Sequence, residues 1–185
     1  IKIYYMKIGF TGTMSVGKTT LVKALKLLPE FKDYKFSTER SKYLRDLGIP
    51  LNTDSTLKGQ VIFLAERCTE LYQENIITDR TIIDVMAFTS LAKTIPSTHT
   101  TLYGALASNL LEEYDYIFYI SPEGIDIEDN GVREIDPTYR KAIDTEIKNI
   151  IKSNISSIKN YTELIGTTEE RIKTIQDTLT INNIK

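Results

Sequence analysis

Residues Gly12 to Thr19 read G-T-M-S-V-G-K-T, and no other run restricts the fold of this chain as tightly. They fit the pattern G-x-x-x-x-G-K-[ST], in which two glycines bracket four residues and a lysine and a hydroxyl follow. Glycine takes backbone conformations closed to bulkier residues, so Gly12 and Gly17 let the segment curl. Successive N–H groups can then face inward and cradle anionic oxygens. Such a cradle belongs between a buried strand and the first turn of a helix. The flanks supply both, with an apolar run from Met6 to Phe10 and a helical stripe of Leu21, Val22, Leu25 and Leu28.

The pattern is the P-loop, or Walker A, sequence, and the expected cofactors are ATP and Mg²⁺. Gly12, Thr13, Met14, Ser15, Val16, Gly17, Lys18, Thr19 and Thr20 form the expected cofactor-binding segment. Lys18 brings positive charge to the terminal phosphates, and the Thr19 hydroxyl is placed to ligate the metal.

The rest of the chain alternates between strand and helix patterns. Strands are expected at about 3–10, 34–38, 75–79, 116–120 and 161–165. Helices are expected from the P-loop to about Leu28, from about 40 to 48, and over 54–74, 81–94 and 101–113. In the 54–74 helix, Val61, Leu64, Ala65, Cys68, Leu71 and Tyr72 form the apolar face. Residues 122–136 are expected to form a polar lid loop containing Gly124 and Gly131. Asp136-Pro137 reads as an N-cap with proline at the first helical position, and Tyr139, Ile143, Ile147, Ile150 and Ile151 stripe the helix that follows. Thr167 to Glu170 fits a capping box opening a last helix to about Leu179. The sum is an α/β fold, a doubly wound five-stranded parallel sheet with helices on both faces.

Ligands of such sheets sit at the carboxyl ends of the strands. Asp79 ends the apolar run Ile76-Ile77-Thr78 and fits the Walker B position, a second Mg²⁺ ligand beside Thr19. Glu39 and Arg40 follow the second strand and are expected on the acceptor side. There Glu39 can take a hydroxyl proton, while Arg40 and Arg80 fix substrate groups through their forked geometry. Arg133 in the lid loop and Arg140 just inside the next helix are candidate arginines for charge developing on the β/γ-phosphates. Gly166, at the end of the fifth strand, would let a flat base lie against the backbone.

Composition narrows the classes. The chain has 185 residues, enough for one domain over residues 1–185, and a net charge of −2, which is no sign of a nucleic-acid coat. A single cysteine excludes an intrachain disulfide and a cysteine-based zinc site; Cys68 is expected as a buried core thiol. His99, in a polar stretch, is expected at the surface. No run has the length of a membrane span and no signal peptide is visible, so the expected location is cytoplasmic, with no membrane partner. Met6 is expected as the natural start, with Ile1 to Tyr5 an extension.

A Ras-like GTPase would need D-x-x-G and [NT]-K-x-D, which do not occur, and a motor ATPase usually has Glu where Arg80 stands. The segments M-K-I-G-F-T-G-T-M-S-V-G-K-T-T, T-E-R-S-K-Y-L, I-I-T-D-R-T-I-I-D-V-M-A-F-T, D-N-G-V-R-E-I-D-P-T-Y-R and L-I-G-T-T-E-E-R-I resemble those of NadR-like (ribosylnicotinamide kinase-like) P-loop kinases. That group includes many phage-encoded members, some acting on a hydroxymethylated pyrimidine within DNA. The Asp79-Arg80 pair is similar to the D-R motif of thymidylate and deoxynucleoside kinases. The resemblance implies a kinase for a nucleoside-like acceptor: a free nucleoside, a nucleotide, or a modified pyrimidine in DNA. It implies that Lys18, Thr19 and Asp79 serve ATP and Mg²⁺, that Glu39, Arg40 and Arg80 face the acceptor, and that Arg133 and Arg140 belong to the lid. The alternative is an ATPase or an ATP-binding regulatory module.

Overall fold

The computed structural model describes residues 5–38, 40–125 and 136–182. Glu39, Arg133 and the lid loop beyond Ile125 therefore lie outside the described residues. The strands are β1 (Lys7–Thr11), β2 (Lys35–Ser37), β3 (Ile76–Thr78), β4 (Tyr116–Ile120) and β5 (Tyr161–Leu164), and they pair in the order β2-β3-β1-β4-β5. Every pairing is parallel, with Gly9 opposite Thr78 of β3 and Ile117 of β4. β1 is central, and the chain leaves it first toward β2 and β3 and later returns to its other side. The crevice of a doubly wound sheet opens at such a reversal, beyond the carboxyl end of the strand.

The helices are α1 (Lys18–Leu25), α2 (Ser41–Asp46), α3 (Leu57–Glu70), α4 (Ile82–Ser90), α5 (Ser97–Ser108), α6 (Pro137–Ser153) and α7 (Thr168–Asn182). They cover two faces because the strands alternate. On β4, Ile117 and Tyr119 join a core with α4, α5 and α6, while Tyr116, Phe118 and Ile120 join a core with α1 and α7. Phe118 stacks between Phe10 and Tyr116, with ring centroids 5.5 and 4.7 Å away. Such aromatic pairs add about 0.5–1.5 kcal/mol beyond the area they bury.

Several expected signals form as read. The Asp136 side chain accepts from the Thr138 N–H, Pro137 sits in the first turn, and all five stripe residues of α6 are buried. At α7, Thr167 N–H donates to Glu170 and Glu170 N–H donates to the Thr167 hydroxyl, which completes the capping box. His99 is exposed. Among the described residues no helix is long and apolar enough to cross a membrane.

Four expectations need correction. α1 ends at Leu25, short of Leu28. α4 stops at Ser90 rather than 94. α5 runs over Ser97–Ser108 rather than 101–113, because Pro96 begins it early. The apolar stripe of α3 is the largest miss: Val61, Ala65 and Tyr72 are exposed, Cys68 is only half-buried, and Gln60 and Arg67 face inward with Leu64. Arg67 turns inward because carboxylates await it. Its guanidinium lies 2.9 Å from Glu70, which accepts from Ser37 at the end of β2. Burial pushes the Glu70 carboxyl up from its ordinary pKa.

Chemical denaturation checks these assignments. Phe118→Ala should lower the unfolding free energy by about 3–5 kcal/mol. Val61→Ser, on the outer face of α3, should change it by less than about 0.5 kcal/mol.

Candidate functional site: a phosphate loop and its cleft

The segment between β1 and α1 turns sharply, and the turn requires glycine at two places. Gly12 has φ +153°, and a Cβ there would lie 2.7 Å from the Ile120 carbonyl oxygen. Gly17 has φ +84° at the N-cap of α1. Between them three successive carbonyls are held by arginine side chains. Arg140 donates through Nε to the Met14 carbonyl (3.1 Å) and through Nη2 to that of Ser15 (3.5 Å). Arg171 donates through Nη1 to the Val16 carbonyl (2.8 Å). In a planar trans peptide the next N–H is antiparallel to the carbonyl, and no cis bond occurs among the described residues. The N–H groups of Ser15, Val16 and Gly17 therefore point the other way, into the cleft. Three convergent N–H groups before a helix N-terminus make an anion site.

Lys18 is 7 % exposed, and its Nζ donates to the carbonyls of Gly12 and Thr13 (2.7 Å to the latter). The lysine is held by its own loop rather than standing in solvent. Thr19 donates to Asp79 at 2.7 Å, and Asp79 is buried at the end of β3. The two expected metal ligands thus meet at the mouth of the loop. Two hard oxygen donors suit Mg²⁺, which binds through one or two protein ligands and takes the remainder from phosphates and water. Among the described residues no group of three His, Cys, Asp or Glu gathers to form a fuller metal cage.

A cleft of about 340 Å³ runs along this loop from Gly166 and Thr167 to Asp79 and Arg80. It brings together most of the residues read from the sequence, Met14 to Thr20 included. A side cavity of about 50 Å³ opens beyond Arg80, between Gln60, Phe63 and Phe88. Ser41, Leu51, Asn52, Arg80 and Phe88 border both spaces. The Arg80 guanidinium sits over the Phe88 ring at 5.1 Å and lies 3.9 Å from Asp84. Gln60 uses its backbone N–H on Thr56 and its carbonyl for the Tyr103 hydroxyl, which leaves its side-chain amide for the cavity. The buried Ser55 hydroxyl, on the same wall, has no hydrogen-bond partner among the described residues.

Two expected site residues lie elsewhere. Arg40 is half-exposed and turns onto α3, 3.3 Å from Glu66 and stacked on Tyr43, because that carboxylate and ring lie within its reach outside the cleft. Ser41 and Lys42 line the cleft in its place. Arg140 holds the back of the phosphate loop, and its third donor, Nη1, is taken by the Ile125 carbonyl at 2.6 Å.

Sequence reading missed Asp84 and Arg171. Asp84 is fully buried in the first turn of α4. One carboxylate oxygen accepts from the N–H and hydroxyl of Thr81 (2.8 and 3.0 Å). The other accepts from the Gly12 N–H (3.3 Å) and lies 4.0 Å from Lys18. The spacing Thr81-x-x-Asp84 fits a capping box and accounts for only the first half of this; its contact to Gly12 spans 72 residues. Arg171 reads as an ordinary charge in a polar helix, and nothing local marks it as a residue 5 % exposed.

A family model described as an AAA domain matches residues 7–171, and the chain belongs to that family. No curated protein matches the chain. Among solved structures, deoxyadenosine kinase from M. mycoides with dCMP and a flexible dCDP bound is 21% identical, with a TM-score of 0.66. The match covers 97% of this chain and 100% of that one. NadR in complex with NAD and AMP-PNP is 15% identical with a TM-score of 0.68, covering 91% of this chain and 48% of that chain. The chain therefore spans about half the length of the NadR chain it matches. Both likenesses show the fold, a parallel P-loop sheet with flanking helices.

Asp84→Asn would set an amide N–H₂ among the donors of Gly12, Thr81 and Lys18. It should lower the unfolding free energy by about 1–3 kcal/mol, measured in urea, whereas Arg40→Ala should change it little.

Proposed function

We propose that the chain is an ATP- and Mg²⁺-dependent kinase that moves a γ-phosphoryl group to a hydroxyl of a nucleoside-like small molecule. The observation that carries the reading is the junction of two unlike spaces at Arg80, an anion-binding loop on one side and a polar-aromatic cavity on the other. A planar, hydrogen-bonding group suits the junction of the two spaces, since Phe63, Phe88, Gln60 and Ser55 line the side cavity beyond Arg80. The net charge of −2 adds no general affinity for a polyanion, which favours a small molecule over a pyrimidine held in DNA. The fold shared with deoxyadenosine kinase and NadR supports the same class.

In this reading the N–H groups of residues 15–17 bind the donor phosphates, with Gly166 beside the base. Thr19 and Asp79 would hold Mg²⁺, which when bound neutralises charge across the β- and γ-phosphates. Lys18 exchanges its loop carbonyls for phosphate oxygens. Arg80, steadied by Phe88 and Asp84, orients the acceptor. The acceptor oxygen attacks phosphorus in line. A new O–P bond forms as the bond between the γ-phosphorus and the β,γ-bridging oxygen breaks, and that electron pair leaves with ADP. The hydroxyl proton passes to a carboxylate, the role assigned to Glu39 from its place after β2.

Transfer from γ-labelled ATP to a panel of nucleosides tests the proposal. Label should appear on a nucleoside only with Mg²⁺ or Mn²⁺ present; label released solely as free phosphate would make the chain an ATPase, and no turnover at all would make it a binding module. Asp79→Asn should cut transfer by about 10²-fold or more, as losses of charge-stabilising groups do. Glu39→Gln should lower kcat by about 10²–10⁴-fold with a far smaller change in ATP affinity. A fall in ATP binding with turnover intact would remove Glu39 from the acceptor side.

A further inference from the structure

The phosphate loop is gripped from behind by two arginines of two different helices. Arg140, in the first turn of α6, reaches the carbonyls of Met14 and Ser15, and its backbone carbonyl accepts from the buried Thr13 hydroxyl at 3.0 Å. Arg171, in the first turn of α7, reaches the next carbonyl, that of Val16. Three consecutive carbonyls thus face guanidinium groups.

The arrangement is expensive to maintain. Arg171 is 5 % exposed; among the described residues its Nε has no hydrogen-bond partner, and its Nη1 donates to a neutral carbonyl. Burial draws its pKa below the usual arginine value. Among the described residues no carboxylate pairs with it, and a buried cation without one is costly, so a fold seeking stability alone would set an apolar residue there. The guanidinium also lies close to Gly17, 3.3 Å from where a Cβ would be, at the edge of the cleft. Its positive charge stands beside Gly17, on the wall of the cleft that the loop lines.

We propose that Arg140 and Arg171 are positioning residues: a two-sided brace that turns three carbonyls outward, pre-shapes the loop for polyphosphate and so sets donor affinity. This rests on the reading of the loop as the donor site. It reassigns Arg140 from a lid arginine acting on the transition state to a support acting through the loop backbone. The two braces differ in a way that makes them testable. Arg171 serves one loop carbonyl, a task within the reach of an ammonium group. Arg140 serves two loop carbonyls and that of Ile125 at once, which requires the planar fork.

The test uses the full chain with Arg140→Lys, Arg140→Met, Arg171→Lys and Arg171→Met. Binding of inorganic tripolyphosphate and of ATP is followed by calorimetry, alongside kcat and KM for each substrate. Each methionine variant should weaken both ligands by about 10-fold or more, as loss of a hydrogen bond from a charged group does. kcat should fall by less than the donor KM rises, with the acceptor KM unchanged. Arg171→Lys should recover most of the affinity and Arg140→Lys little of it, an asymmetry that a merely structural role would not produce. If a methionine variant fails to fold, the lysine pair carries the same comparison. Wild-type affinity in the variants, or a loss of kcat at unchanged affinity, would overturn the brace. Failure of the wild-type chain to bind either ligand would overturn the donor-site reading on which the brace rests.

Discussion

Backbone amides can gather around an anion only if the matching carbonyls are turned the other way, and in this protein that requirement organises the rest of the site. A carbonyl turned outward must meet a donor, because an unpaired buried acceptor costs about 1–3 kcal/mol. The chain meets the need with donors from far along the sequence: Arg140 for Met14 and Ser15, and Arg171 for Val16. Gly12 and Gly17 provide the conformations, and the Asp84 carboxylate accepts the Gly12 N–H that the turn leaves pointing into the core. Helices α4, α6 and α7 each contribute one side chain to the back of the same loop, so the loop is shaped by the packing of both sheet faces.

Asp84 also joins the two halves of the cleft. Its oxygen lies between the Gly12 N–H, Lys18 and Arg80, so one buried carboxylate balances a cation on the donor side and another toward the side cavity. Lys18 rests on the carbonyls of Gly12 and Thr13, partners that a phosphate outcompetes because hydrogen bonds between ionised groups are stronger than those to neutral carbonyls. In the proposed donor site the lysine is thus positioned before a ligand arrives, and binding would change its partners rather than its place. Asp79 and Thr19 are paired in the same way, each occupying the other at 2.7 Å.

What could be read from the sequence was what local pattern controls. The glycine spacing, the apolar run of β4, the Asp136-Pro137 cap and the Thr167–Glu170 box are set within a few residues, and each forms as expected. The place of Asp79 was legible because it directly follows an apolar strand, and the structure sets it there against Thr19. The α3 stripe failed because helical periodicity reports apolar spacing and not neighbours. Arg67 pairs with Glu70 one turn on, and what no local window reveals is that Ser37 of β2 holds that carboxylate on the inner face. Arg40 was placed correctly along the chain but not in space, since Glu66 and Tyr43 draw it away from the cleft. Asp84 and Arg171 stayed hidden for the same reason: their defining contacts, to Gly12 and Val16, span 72 and 155 residues.

Arg140 and Arg171 hold the loop in one shape before any ligand is bound, and that shape is the one proposed to receive phosphate. A crystal structure of the chain with Mg²⁺ and a non-hydrolysable ATP analogue tests it directly. Phosphates should lie against the N–H groups of Ser15, Val16 and Gly17, with Lys18 moved from its loop carbonyls onto phosphate oxygens. The carbonyls of Met14, Ser15 and Val16 should remain on Arg140 and Arg171. A loop refolded around the nucleotide with either arginine released, or a nucleotide bound away from the loop, would contradict it.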